Sequence, residues 1–328
     1  MKVIIPAAGI GKRLRPHTHV IPKAMLQVAG RPIIGHIIDR VIRDLEFDEI
    51  VIIVGYKKEI LTAWVKEAYP GIPLRFVEQK EMLGLGHAVL KAHSSDEEAR
   101  DIFIILGDTI VDMDVPAMVK QGCSSLGVRH VEDPRRFGVV ELKGEMISSL
   151  VEKPEIPPSD LALMGVYYIR EGEALFDALQ YLVDENIKTK NEYQITDALN
   201  HMLQQGVKMK PFHVDNWFDC GTLETLLATN RFLLEQRPCQ RKQKYPDTVF
   251  IEPVFVGEGS VIRGAVLGPH VSVGCNVTIQ NAVIRDAIIY DEAYVENVAV
   301  QQSIIGTKSC LKGELSRYNT GPDTQIGS

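Results

Sequence analysis

The sequence predicts an α/β domain followed by a repetitive β domain. Strand-like and helix-like segments alternate through the first 110 residues, which is the pattern that gives a largely parallel sheet covered on both faces. Beyond residue 250, aliphatic residues recur every five or six positions, as in a parallel β-helix. The predicted fold class is therefore a Rossmann-like mixed α/β sheet with a C-terminal left-handed parallel β-helix.

The α/β part is predicted to begin with a short buried strand at 2–6 and to end with a helix at 223–234. The apolar run at 102–106 is typical of a central parallel strand, and it ends in Gly107-Asp108 at the carboxyl edge, where such sheets bind ligands. The other predicted strands are 50–55, 74–77, 137–142, 147–152, 163–169 and 207–214, followed by the segment 217–219, and the other helices are 33–45, 58–69, 86–93, 172–182 and 192–205.

The repeat runs through ten consecutive steps that stay in phase. A small or β-branched residue precedes each aliphatic residue by two positions, and the aliphatic residues are expected to stack inside coils of three short strands. Ten steps would make about three coils. The aliphatic residues are Val256, Ile262, Leu267, Val273, Ile279, Ile284, Ile289, Val295, Val300 and Ile305.

Length and composition narrow the class of protein. With 328 residues the chain is expected to form two domains, 1–237 and 249–328, joined by a linker at 238–248. A net charge of −7 opposes non-specific binding to nucleic acid. The five cysteines lack a CxxC pair, and the N-terminal segment is neither a signal peptide nor a membrane span. We therefore expect a cytoplasmic protein without nucleic-acid or membrane partners.

Two kinds of charged segment border the predicted carboxyl edge. The loop Ala7-Ala8-Gly9-Ile10-Gly11 follows the first strand, and its exposed amides could form an anion nest to which Arg13 and Lys23 add positive charge. Asp108 follows the central strand, and Asp219 follows Trp217-Phe218. Hard carboxylate oxygens suit Mg²⁺, which takes few protein ligands.

These segments resemble the sugar nucleotidyltransferase family, which begins with G-x-G-[ST]-R-[LM]-x-P followed by Pro-Lys. Lys12 stands here where the family has Ser or Thr. Further similar segments follow in family order over roughly 230 residues: one containing Gln79 and Gly84, Gly107-Asp108, Glu152-Lys153-Pro154, Glu192 to Asp197, and Trp217 to Thr222. The resemblance is especially close to uridylyltransferases and thymidylyltransferases that act on glucose 1-phosphate.

The resemblance implies transfer of a nucleotidyl group from UTP or dTTP to a hexose 1-phosphate, expected to be glucose 1-phosphate, with release of pyrophosphate. It implies Mg²⁺ as cofactor and a homo-oligomer. It assigns catalysis to Arg13, Lys23 and Lys153, metal binding to Asp108 and Asp219, nucleotide binding to Ala7, Ala8, Gly9, Gly11, Arg13, Lys23, Gln79, Gly84 and Asp108, and sugar binding to Gly138, Glu152, Lys153 and Leu163.

Other functions stay open at this stage. Asp112-Met113-Asp114 is a DxD of the kind that holds the metal in glycosyltransferases, although Asp114 before Pro116 also fits a helix N-cap. His17 and His19 could serve covalent transfer or hold a metal. The repeat could belong to an acyltransferase, for which His270 is the available histidine beyond residue 214. A guanylyltransferase acting on mannose 1-phosphate is the further alternative for the base and sugar.

Overall fold

The structure is a computed structural model, and it describes residues 1–94, 100–236, 245–315 and 321–323. The chain divides into two compact units, one of residues 1–27 and 31–226 and a second of residues 28–30 and 227–328. Most of the predicted linker, residues 238–244, lies outside the described residues. Within the described residues, no helix has the length and apolar character needed to cross a membrane.

The first unit is an α/β structure. Its strands, up to residue 226, are β1 (Lys2–Pro6), β2 (Gln27–Val28), β3 (Arg31–Pro32), β4 (Glu49–Val54), β5 (Leu74–Glu78), β6 (Ile102–Ile105), β7 (Thr109–Asp112), β8 (Ser124–His130), β9 (Gly138–Lys143), β10 (Met146–Glu152), β11 (Leu161–Ile169), β12 (Met209–His213) and β13 (Asn216–Asp219). The helices are α1 (Ile33–Asp44), α2 (Lys58–Ala68), α3 (Leu85–Leu90), α4 (Val115–Val119), α5 (Gly172–Asp184), α6 (Ile195–Gln204) and α7 (Leu223–Glu235), of which α7 belongs to the second unit from residue 227 onward. Short 3₁₀ turns occupy Lys12–Leu14, His17–His19, Lys23–Met25 and Pro134–Arg136.

The main sheet has the mixed topology that the sequence predicts. Its order is β10-β9-β11-β6-β1-β4-β5, with β8 paired to β11 and β12 paired to β8. The pairs β6-β1, β1-β4 and β4-β5 are parallel, and the pairs that β11 makes with β6, β8 and β9 are antiparallel. Strands β1, β4 and β6 are almost entirely buried, as expected for parallel strands covered on both faces, and this explains their apolar runs. The edge strand β5 is only partly buried.

Two predicted helices differ from the structure at their ends. The helix predicted at 192–205 begins only at Ile195, because Gln194 is extended and Glu192 forms a β-bridge with Thr189. The helix predicted at 86–93 is the shorter Leu85–Leu90. The predicted strand 207–214 corresponds to β12, which runs parallel to β8.

The second unit contains a three-faced stack of short parallel strands. They are β14 (Val249–Phe250), β15 (Val254–Val256), β16 (Val261–Arg263), β17 (Val266–Leu267), β18 (Val271–Val273), β19 (Thr278–Gln280), β20 (Val283–Ile289), β21 (Tyr294–Glu296), β22 (Ala299–Ile305) and β23 (Cys310–Lys312). Strand β14 pairs with β17, β17 with β20 and β20 with β22 on one face, while β16, β19, β21 and β23 form another.

The predicted periodicity is confirmed by burial. Eight of the ten aliphatic residues belong to the core of the stack, and Val256 and Val300 pack against it while partly buried. The stack is longer than expected, since four strands lie on the face that begins with β16 and β14 precedes the first predicted step. Each coil contains 16 or 17 residues, so Leu267, Ile284 and Val300 occupy equivalent inward positions in successive coils.

A buried asparagine of α7 joins three segments of the second unit. Asn230 is fully buried, and its Oδ1 accepts hydrogen bonds from the Ala29 amide at 2.8 Å and the Ser272 hydroxyl at 2.6 Å. Its Nδ2 donates to the His270 carbonyl at 3.3 Å. Because buried polar groups are costly when they lack partners, this residue is expected to stabilise the unit strongly.

Candidate active site

A cavity of about 500 Å³ opens at the carboxyl edge of the parallel strands. Its walls come from the segments that follow β1, β5 and β6, because the carboxyl ends of neighbouring parallel strands meet at one edge. The lining includes eight of the nine residues expected to bind nucleotide, namely Ala7, Ala8, Gly9, Gly11, Lys23, Gln79, Gly84 and Asp108.

The glycine loop after β1 is fixed in a conformation that needs glycine. Gly11 has a φ of 69°, and a Cβ placed there would lie 2.9 Å from the Cβ of Lys23. The Thr18 hydroxyl donates to the Gly11 carbonyl at 2.9 Å. The Ala7 amide donates to the Ile53 carbonyl at 2.8 Å, which ties the start of the loop to β4. A side chain at residue 11 would push the loop away from the turn that carries Lys23.

The small antiparallel sheet of β7 and β13 brings together two aspartates that are far apart in the sequence. In this pairing Asp219 lies opposite Thr109, the residue that follows Asp108. The Cys220 amide also donates to the Asp108 carbonyl at 3.1 Å. The two carboxylates therefore reach the same ammonium group.

Lys23 supplies that ammonium group. Its Nζ lies 2.6 Å from Asp108 Oδ2 and 3.4 Å from Asp219 Oδ1, and only 10% of its side chain is exposed. Burial by itself would lower the pKa of Lys23, but the two carboxylates outweigh burial and raise that pKa, so the ammonium stays charged. A cation thus occupies the space between the two predicted metal ligands.

Arg13 lies near the same carboxylate, although it is exposed and does not line the cavity. A Cβ placed on Gly221 would be 2.8 Å from Arg13 Nη2 and 2.6 Å from Asp219 Oδ1. The Arg13 guanidinium and the Asp219 carboxylate therefore both lie next to Gly221. Any larger residue at position 221 would separate them.

At another part of the cavity lining, Gln79 follows β5 and is only 4% exposed. Its Nε2 lies 3.0 Å from the Gly84 carbonyl and 3.2 Å from Nδ1 of His87. Gly84 has a φ of 109°, and a Cβ there would lie 2.6 Å from the Tyr193 carbonyl. Gln79 and Gly84 were predicted from the sequence to bind nucleotide, whereas His87, which lies within the same family-like segment, was not.

The four residues expected to bind the sugar lie close together. Gly138 is paired with Glu152 across β9 and β10, and a Cβ on Gly138 would lie 2.8 Å from Leu163 Cδ1. Lys153 has a φ of 43°, and its Nζ is 2.8 Å from Glu152 Oε1. The Thr196 hydroxyl donates to Glu152 Oε2 at 2.7 Å, so the carboxylate is held from both sides.

Thr196 and Asp197 at the start of α6 belong to this group but were not assigned a role from the sequence. Asp197 Oδ2 is buried and has no hydrogen-bond partner in the described residues. Burial, and then the nearby Glu152 carboxylate, raise the pKa of Asp197. The signal that could have identified both residues is the Glu192 to Asp197 segment, in which they directly follow Ile195.

The geometry agrees with the comparison with protein families. Residues 2–236 match the family described as "Nucleotidyl transferase". The chain belongs to this family. The sequence-based prediction of a nucleotidyltransferase is therefore confirmed, and members of the family generally use a divalent metal ion.

Two of three similar curated proteins match nearly the whole length of this nucleotidyltransferase. It is 32% identical to the bifunctional protein GlmU of Methanocaldococcus jannaschii over 98% of this chain and 74% of that protein. It is 30% identical to the glucose-1-phosphate thymidylyltransferase of Streptomyces antibioticus over 99% of each chain. It is 34% identical to the UTP–glucose-1-phosphate uridylyltransferase AglF of Haloferax volcanii over 66% of this chain and 89% of that protein.

Solved structures give the same result for the fold of this nucleotidyltransferase. A UDP-glucose pyrophosphorylase complexed with UDP-glucose superposes with a TM-score of 0.60 at 26% identity, and the match covers 72% of this chain and 99% of that chain. A putative glucose-1-phosphate thymidylyltransferase from Bacillus anthracis superposes with a TM-score of 0.61 at 26% identity, over 74% and 98% of the two chains.

The two aspartates of the Asp112-Met113-Asp114 segment have local structural roles in this nucleotidyltransferase. Asp114 caps α4 by accepting a hydrogen bond from the Ala117 amide at 2.9 Å. Asp112 Oδ2 accepts from the side-chain amide of Asn216 at 3.1 Å. His270 contacts Glu235 at 2.9 Å. Within the described part of the chain, no group of three or more His, Cys, Asp or Glu side chains is arranged to hold a metal ion.

Proposed function

We propose that this nucleotidyltransferase transfers UMP or dTMP from UTP or dTTP to glucose 1-phosphate and releases pyrophosphate. The observation that carries the proposal is the placement of the Lys23 ammonium between Asp108 and Asp219, beside the glycine loop at the cavity. A charged group held there is suited to the triphosphate. The names of two of these relatives, AglF and the Streptomyces antibioticus enzyme, specify uridylyl or thymidylyl transfer and glucose 1-phosphate, and they support the choice of substrates.

We assign a divalent ion, Mg²⁺, to Asp108 and Asp219. The fit rests on the stand-in cation, since one ammonium already contacts both carboxylates. Two carboxylates also suit an ion that fills most of its coordination shell with phosphate oxygens and water. When bound, Mg²⁺ would withdraw negative charge from the phosphate under attack.

Different residues of the protein would bind different parts of the triphosphate. The amides of the loop 7–11 would bind phosphate oxygens, as in other anion nests. Arg13 and Lys23 would neutralise the charge that grows on pyrophosphate as it leaves. Gln79 and Gly84 would hold the base, an assignment that their position in the cavity lining supports.

The sugar phosphate would bind at Glu152 and Lys153. Glu152 would accept hydrogen bonds from sugar hydroxyls, with Thr196 fixing its orientation, and Lys153 would hold the phosphate. A phosphate oxygen of the sugar then attacks the α-phosphorus in line while the bond to pyrophosphate breaks. No covalent enzyme intermediate is needed, and holding two reactants in line supplies a large part of the rate enhancement.

The test is a matrix of UTP, dTTP, CTP, ATP and GTP against the 1-phosphates of glucose, galactose, mannose and N-acetylglucosamine. Release of pyrophosphate is measured with purified full-length protein in Mg²⁺. We expect the highest kcat/KM with UTP or dTTP and glucose 1-phosphate. A clear preference for GTP and mannose 1-phosphate would overturn the proposed specificity.

We also propose that the protein forms a homo-oligomer through the outer face of its parallel strand stack. Val249 and Val283 are 58% and 45% exposed there, and Val266 lies in register between them. An exposed row of valines on a regular surface favours association with a like surface. Light scattering after size exclusion should give a multiple of 36.6 kDa, and a monomer at all protein concentrations would contradict this proposal.

A further inference from the structure

The side-chain amide of Gln79 is held in one orientation. Its nitrogen faces the Gly84 carbonyl at 3.0 Å. A carbonyl oxygen can only accept a hydrogen bond, so the nitrogen of the amide, and not its oxygen, must lie on that side. The Gly84 carbonyl also accepts from the Ala88 amide at 3.1 Å, which fixes it at the start of α3.

His87 completes this arrangement. The same Gln79 nitrogen lies 3.2 Å from Nδ1 of His87, so Nδ1 must act as the acceptor for the second amide hydrogen. A neutral ring whose Nδ1 accepts a hydrogen bond carries its proton on Nε2. Burial lowers the pKa of His87, and at neutral pH the ring is therefore uncharged, as this pattern demands.

The segment that carries these groups is tightly fixed. The Gly86 amide donates to the Tyr193 carbonyl at 2.8 Å, and the Tyr193 amide donates to the Leu83 carbonyl at 2.8 Å. His87 itself is only 8% exposed. A small rotation of the imidazole away from Gln79 is therefore opposed by the surrounding structure.

The consequence concerns the oxygen of the Gln79 amide. Within the described residues, the side-chain hydrogen bonds of Gln79 use Nε2, and Oε1 is the side-chain atom that remains for a ligand in the cavity. A fixed acceptor selects a base that offers a donor. The N3–H group of uracil or thymine is such a donor, whereas N3 of cytosine and N1 of adenine are acceptors.

We propose that His87 is a positioning residue for base selection, which holds the Gln79 amide so that its oxygen faces the base and thereby rejects cytosine. This inference rests on the proposed function, because it assumes that the base binds at Gln79. It deepens that function by identifying the source of the discrimination between UTP and CTP, two nucleotides of nearly equal size. Guanine also carries an N–H donor, so its exclusion must come from another feature.

The experiment compares wild-type protein with His87→Asn and His87→Leu. The Oδ1 atom of asparagine can occupy the position of Nδ1 and accept the same hydrogen bond, whereas leucine cannot. For each protein, kcat/KM is measured for UTP and CTP with glucose 1-phosphate, and dissociation constants for UMP and CMP are measured by calorimetry. Thermal melting reports any general loss of stability.

We expect His87→Leu to lower the UTP-to-CTP ratio of kcat/KM by about tenfold or more, because the freed amide can rotate and offer a donor to cytosine. The change should appear mainly in KM and in the UMP-to-CMP ratio of dissociation constants. His87→Asn should keep the ratio near that of the wild type. A purely structural role would change activity with both nucleotides equally.

An unchanged ratio in a folded His87→Leu protein, or equal ratios for His87→Asn and His87→Leu, would overturn the inference. If His87→Leu does not fold, His87→Gln takes its place, because its amide extends beyond the Nδ1 position. Failure of the proposed function would be recognised separately, since wild-type protein would then turn over neither UTP nor dTTP with any sugar 1-phosphate. In that case the UMP and CMP binding measurements still test His87.

Discussion

Replacing Lys23 with methionine should increase the affinity of the protein for a divalent ion while abolishing most of its turnover. The ammonium contacts both Asp108 and Asp219, the proposed metal ligands. An ion that binds these carboxylates without nucleotide must first displace the ammonium. Methionine has a similar length and no charge, so it removes this competitor and keeps most of the packing.

The size of the effect can be estimated from the geometry. At the 2.6 Å separation of Lys23 Nζ and Asp108 Oδ2, two unit charges attract by about 6 kcal/mol at an effective dielectric constant of about 20. The Asp108 side chain is 39% exposed, so water reduces the net contribution of the pair to about 1–3 kcal/mol. The dissociation constant for the ion should therefore fall about tenfold to a hundredfold.

Electron paramagnetic resonance of free Mn²⁺ during a titration measures this affinity without turnover. Lys23→Arg is the matched control, since it keeps the positive charge and should retain weak ion binding. Asp219→Asn should bind the ion less well than wild type. The explanation is refuted if Lys23→Met binds Mn²⁺ no more tightly than the wild type does in the absence of nucleotide.

Three other changes test separate parts of the structure. Asp219→Asn should lower the rate of pyrophosphate release about a hundredfold or more without changing the circular dichroism spectrum, and EDTA should stop the wild-type reaction until Mg²⁺ is restored; near-normal rates would exclude Asp219 as a ligand. Lys153→Ala should raise KM for the sugar phosphate more than KM for the triphosphate, as measured in steady-state assays in which each substrate is varied in turn, and an equal rise in both would contradict its assignment. Asn230→Ala leaves the Ala29 amide and the Ser272 hydroxyl without their buried acceptor, so calorimetric unfolding should show a loss of about 2–5 kcal/mol, and Ser272→Ala should cost less; an unchanged unfolding transition would show that the network contributes little.

The repeat was predictable because every coil requires aliphatic residues at the same inward positions. An inward residue at every fifth or sixth position must be aliphatic, and a substitution such as Val273→Asp would bury an unpaired charge. The parallel strands were predictable for a related reason, since β6 is apolar on both faces. The start of α6 was misplaced, because Glu192 lies in a β-bridge with Thr189 that no periodic pattern reveals.

The sequence predicted which residues belong to the candidate active site better than it predicted how those residues are arranged. Asp108 and Asp219 could be named from short segments, but their approach depends on the pairing of β7 with β13, which are both short and were not expected to form a separate sheet. His87 and Thr196 were missed because each acts through one hydrogen bond to a named residue. A single contact of this kind produces no recurrent spacing of residues that could be recognised in the sequence.

The charged groups of the site are arranged as exchangeable pairs. Lys23 contacts Asp108, and Lys153 contacts Glu152, although in the proposed reaction each lysine binds phosphate and each carboxylate binds an ion or a sugar hydroxyl. Leaving such groups unpaired in a partly buried site would cost several kcal/mol. In the proposed reaction each substrate would therefore replace an internal partner, and part of its binding free energy would be used in doing so. This exchange would favour a modest affinity for either substrate alone, and it would align the lysines with the phosphates when both substrates are bound.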